Sequence, residues 1–96
     1  MNPAPHSWFY VYLLRSRKNN SIYIGCTSNL YKRLQEHREG RNYSTKKLLP
    51  VELIYFEAYK SKEDAFRREK HLKYYSSGLR NLKVRLQDTL RKGGAG

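Results

Sequence analysis

Ninety-six residues are enough for one modest hydrophobic core and exclude two. Twenty Lys and Arg against eight Asp and Glu leave a formal charge of +12, which chooses no fold but calls for a polyanionic partner, nucleic acid first. One cysteine, Cys26, excludes a disulfide framework and any cysteine-based metal site.

The opening "MNPAPHSW" has neither the charged nor the apolar run of a secretory signal. No apolar run is long enough to span a bilayer, so a cytoplasmic chain is expected. Residues 8 to 14, "WFYVYLL", are aromatic and β-branched and predict a strand. The polar "RSRKNNS" predicts a hairpin connection, with Asn19 and Asn20 tolerant of left-handed backbone. Residues 22 to 26, "IYIGC", predict a second, antiparallel strand, in which Gly25 marks a bulge or a close approach. Thr27, Ser28 and Asn29 are N-cap candidates for a helix reaching about Arg38 and closed by Gly40.

"RNYSTKKLL" reads as a basic loop, and "VELIYFEAY", residues 51 to 59, as a third strand. Ser61 with Asp64 is a capping signal, and Glu63 and Asp64 suit the positive end of the helix "KEDAFRREKHLKYY", expected to end near Ser76 to Gly78. Leu79, Leu82, Leu86 and Leu90 then form one stripe of a last helix. The expectation is an α+β domain over residues 8–90, a small three-stranded antiparallel sheet flanked by helices in the order ββαβαα. Residues 1–7 and 91–96 are expected to be flexible termini.

Two helices break their own pattern. Arg33 and His37 share a stripe with Leu30 and Leu34, and Glu69 shares one with Ala65, Phe66 and Leu72. A carboxylate on a core-facing stripe is costly unless paired or bound to a metal, and one reading is a core salt bridge from Glu69 to Arg33. Such local failures of pattern mark functional sites as well. Tyr12 and Tyr23 add phenols on facing strands, although each taken singly is an ordinary packing residue.

"YVY" at 10 to 12 and "YIG" at 23 to 25, followed by Arg33 and His37, resemble the GIY-YIG nuclease family over about Phe9 to Leu86. Tyr10 and Val11 replace the Gly and Ile of the family's first triplet, whose chemistry belongs to its final tyrosine, here Tyr12. The resemblance implies Arg33 ten residues after Tyr23, His37 one turn later, Glu69 in "RREKHLK" as the metal-binding carboxylate, and Asn81 as a looser auxiliary candidate.

The activity implied is phosphodiester hydrolysis, and the residues suit it. A lone Glu69 suits one hard divalent cation, Mg2+ or Mn2+, that keeps several waters. Arg33 can fork onto the non-bridging phosphate oxygens. The general base is Tyr12 or Tyr23, with Tyr12 favoured and His37 as its relay or hydrogen-bond partner; a free phenol, with a pKa near ~10, needs help from nearby positive charge or from His37 as proton acceptor. Arg41, Tyr43, Lys46 and Lys47 of the basic loop, with Lys73, are candidate nucleic-acid contacts. His6, His71 and Trp8 are read as surface or packing residues. The expected function is a metal-dependent DNA endonuclease of low intrinsic sequence specificity, with structure selectivity as an open option. The alternative is a nucleic-acid-binding module of the same fold that does not cut.

Overall fold

The computed structural model describes residues 8–92. The expected flexible segment 1–7, with His6, and residues 93–96 lie outside the described residues.

The elements run β1 (Phe9–Ser16), β2 (Ile22–Thr27), α1 (Leu30–Arg38), α2 (Tyr43–Lys46), β3 (Val51–Tyr59), α3 (Lys62–Tyr74), α4 (Ser76–Arg85) and α5 (Gln87–Lys92). The sheet is antiparallel throughout, in the order β2-β1-β3. This is the α+β fold expected from the sequence, with a short α2 and α5 added.

Each local departure from expectation has a physical reason. β1 continues through Arg15 and Ser16, which the polar run assigns to the turn. Both are buried, because the Arg15 guanidinium donates to the Leu90 carbonyl (2.6 Å) and the Ser16 hydroxyl to the Leu48 carbonyl (2.6 Å). The hairpin then turns through Asn20, at φ 64°. Within the basic loop Asn42 caps a single helical turn by accepting from the Thr45 amide. α3 stops at Tyr74 because Tyr75 is extended, and Tyr75 is also the N-cap of α4. The leucine stripe holds, but it crosses a break at Leu86 between α4 and α5.

Side chains alternate across a strand, and β1 therefore serves two different faces. Val11 and Leu13, with Ile24 of β2, join Ala65, Leu72, Leu82 and Leu86 in the hydrophobic core under α3 to α5. Each of the Val, Leu and Ile side chains among them, when fully buried, contributes about 1.5–3 kcal/mol. Tyr12, one residue out of phase, points to the opposite face, where α1 supplies the buried His37. No described helix is long and apolar enough to cross a membrane.

Candidate active site

Tyr12 and His37 are wholly buried, and the phenolic oxygen lies 2.8 Å from His37 Nε2. The ring can lie there because its neighbour across the β1–β2 ladder is Gly25. A Cβ on Gly25 would stand 2.4 Å from the Tyr12 ring and oxygen, so the glycine marks a close approach and not a bulge. On the far side of the imidazole, Nδ1 lies 2.8 Å from the hydroxyl of Thr45, which is also fully buried. Tyr23 sits edge-on to His37, ring centroids 5.2 Å apart, and 6.4 Å from the Tyr12 ring.

Charge completes the cluster. Burial, and next Tyr23, push the Tyr12 phenol well above its ordinary range, while the charge of Arg33 and a hydrogen bond from it pull the other way. Burial first, and then Arg33, hold the His37 imidazole below its usual value against the opposite pull of Glu36. A neutral imidazole between two hydroxyls carries one N–H donor and one acceptor nitrogen.

Glu69 projects from α3, which packs over β1 and β2 and contributes Ala65 and Leu72 to the core. The carboxylate acts on both Tyr12 and Cys26, as does Arg33 with the opposite sign. Of the charged groups that act on Tyr12, Arg33 lines a cleft at the end of β2 together with Cys26, Thr27, Ser28, Lys62 and Phe66. The core salt bridge considered from sequence is absent among the described residues. Arg33 pairs with Glu36 (3.1 Å) and Glu69 with Lys73 (3.1 Å), each within its own helix. Glu69 is also only half-buried, its side chain 22% exposed.

The other candidates are more scattered. Asn81 is exposed on α4, with no hydrogen bond to Tyr12, Arg33 or Glu69 among the described residues. Arg41, Tyr43, Lys46 and Lys47 are exposed around α2, and Arg41 pairs with Glu39 at 3.0 Å. His71 stacks on Tyr75, and Trp8 is half-exposed beneath the Lys60 ammonium.

Two residues of consequence escape sequence reasoning. Thr45 is hidden inside a run that reads as basic loop. Glu57 of β3 is the better satisfied carboxylate: it accepts from Tyr55 (2.6 Å), Tyr59 (2.5 Å) and, as a fork, Arg68 (2.9 and 2.9 Å). Burial pushes its carboxyl up, but the Arg68 and tyrosine hydrogen bonds prevail and hold it below the usual range. The signal available was the alternation Tyr55-x-Glu57-x-Tyr59 on one strand face.

No three His, Cys, Asp or Glu side chains cluster among the described residues. The carboxylates on offer are Glu36, which pairs with Arg33, and the half-buried Glu69. That set fits a hard cation whose remaining ligands are waters and phosphate oxygens, and it does not fit an all-protein cage.

The sequence of residues 8–83 matches the GIY-YIG catalytic domain, and the chain belongs to the GIY-YIG family, a family of nuclease domains that are generally divalent-metal dependent. It is similar to small proteins of the UPF0213 group. It is 41% identical over 68 residues to UPF0213 protein SH2523 of Staphylococcus haemolyticus, covering 70% of this chain and 82% of that one. It is 40% identical over 78 residues to UPF0213 protein CPE1444 of Clostridium perfringens, covering 80% of each. UPF0213 protein YazA of Bacillus subtilis is 40% identical over 68 residues, covering 70% of this chain and 69% of its own length. No solved structure matches the chain.

Proposed function

We propose that this protein is a divalent-metal-dependent endonuclease that hydrolyses phosphodiester bonds in DNA, in the cytoplasm, with low intrinsic sequence specificity and a preference set by substrate structure. The observation that supports the reading is the buried Tyr12–His37 hydrogen bond, with Arg33 and Glu69 both acting electrostatically on Tyr12. The net charge of +12 supplies the affinity for a polyanion.

In this reading Arg33 leaves its half-exposed pairing with Glu36 and forks onto the non-bridging oxygens of the scissile phosphate. The reading requires that substrate binding also uncover the Tyr12 oxygen, which is otherwise sealed from solvent. A water then attacks phosphorus as its proton passes to Tyr12, while the phenolic proton passes to His37 Nε2. His37 can accept it because burial keeps the ring neutral. Nδ1–H donates to Thr45 throughout, which fixes the tautomer. The P–O bond opposite the water breaks, and its oxygen is protonated from solvent. Tyr23, half-buried beside His37, positions the water or the phosphate. Glu69 would hold a single Mg2+ or Mn2+, which when bound neutralises charge on the phosphate and leaving oxygen. Arg41, Tyr43, Lys46, Lys47 and Lys73 track the backbone of the nucleic acid, with Asn81 as an auxiliary contact.

The test is incubation of pure protein with supercoiled plasmid and with branched DNA, in Mg2+ or Mn2+, beside a chelator control. Metal-dependent nicking supports the reading. Salt-sensitive binding without any cutting would leave a nucleic-acid-binding module.

A further inference from the structure

α3 carries two intrahelical ion pairs that differ in kind. Arg67–Asp64 is solvated, its side chains 73% and 56% exposed, as is usual for pairs that contribute little. Lys73–Glu69 is less exposed, at 36% and 22%, with Nζ on Oε2 at 3.1 Å. Among the described residues the other carboxylate oxygen, Oε1, accepts no hydrogen bond. Lys73 also interacts electrostatically with Tyr23, Tyr74 and Cys26, and α3, which carries it, packs against β2.

A divalent cation on the Glu69 carboxylate and an ammonium on the same group repel each other strongly. The lysine has a flexible four-carbon stem and three donors, and is a compact point charge suited to phosphate. We propose that Lys73 is a mobile counter-ion for Glu69: it holds the carboxylate when no cation is bound, and cation binding releases it to the substrate phosphate. The metal and the nucleic acid then bind with positive coupling, because the first frees a contact for the second. This rests on the nuclease reading of Glu69 and goes beyond it by assigning Lys73 a role that changes with occupancy.

The test uses the parent, Lys73→Met and Lys73→Arg, with two readouts besides cleavage. The first is Mn2+ affinity of the protein without nucleic acid, followed by electron paramagnetic resonance. Losing an ion pair of this kind should tighten Mn2+ in Lys73→Met by about two- to fivefold, whereas Lys73→Arg should stay near the parent. The second is the salt dependence of duplex binding, in chelator and in Ca2+ with intact DNA verified. In chelator the slopes of parent and Lys73→Met should coincide. In Ca2+ the parent should be steeper by about 0.9, one additional phosphate contact. Unchanged Mn2+ affinity in Lys73→Met, with a parent that still cuts DNA, overturns the counter-ion role and leaves the nuclease reading standing. A parent that neither binds Mn2+ nor cuts overturns both.

Discussion

The Tyr12 hydroxyl and His37 Nε2, 2.8 Å apart, form a hydrogen bond with no solvent on either partner. A buried polar pair of this kind is stable only while both members keep their proton inventory. Burial and Arg33 hold the imidazole below its ordinary 6.5, so the unfolded chain takes up a proton that the folded chain resists. The stability tied to His37 is fully present above about pH 6.5 and is lost as pH falls through the lower folded value. Urea unfolding should give a lower midpoint near about pH 5.5 than near about pH 7.5. In His37→Gln this window should be flat. Equal midpoints in the parent would show that His37 is not held neutral.

Thr45 is the second partner of the same imidazole. Thr45→Val keeps the shape and strips the hydroxyl, leaving Nδ1 buried without a partner at a cost of about 1–3 kcal/mol. Freed of its tautomer restraint, the ring should serve Tyr12 less well. Cleavage is expected to fall by up to about 100-fold, within what a positioned base supplies, while DNA affinity holds. Equal loss of affinity and rate would assign Thr45 to binding instead.

Gly25 is where the Tyr12 ring passes over β2. Gly25→Ala would place a methyl 2.4 Å from the phenol, and the ring has to leave its hydrogen bond to His37. Overpacking of this kind costs about 1–3 kcal/mol. Thermal melting should record that loss together with a collapse of cleavage; a variant that cuts like the parent would remove Tyr12 from the chemistry.

Glu57 and Glu69 make a matched pair for a stability comparison. Glu57→Gln takes the charge from a fork with Arg68 whose side chains are 14% and 24% exposed, and should lower stability by about 2–4 kcal/mol. Thermal or chemical denaturation reads this directly. A loss below about 0.5 kcal/mol would mean that the network is decorative.

Much of this was legible in the residues. The strands, the Asn29 and Ser61 caps and the leucine stripe follow from local propensity and period. Arg33, His37 and Glu69 were visible because each breaks the apolar stripe of its helix, and Tyr12 and Tyr23 joined them through the resemblance to the GIY-YIG family. What could not be read is three-dimensional. Periodicity puts Glu69 on a core stripe, but only the packing of α3 shows that it emerges half-buried beside β2 with Lys73 attached. Thr45 looks like loop because its burial comes from contact with α1, eight residues earlier in sequence. Arg15 and Ser16 look like turn because the carbonyls that satisfy them, Leu90 and Leu48, are remote in sequence.

The most direct test compares the parent with Glu69→Gln in one plasmid-nicking assay with Mg2+, alongside DNA affinity and thermal melting of both. The account predicts nicking by the parent alone, DNA binding by Glu69→Gln as tight as the parent's or slightly tighter, and an unchanged or higher melting temperature. Removing this carboxylate lowers repulsion toward phosphate and disrupts only a partly exposed pair. Nicking by Glu69→Gln at the parental rate would contradict the account, as would a steep fall in its melting temperature with no metal-dependent cutting by the parent.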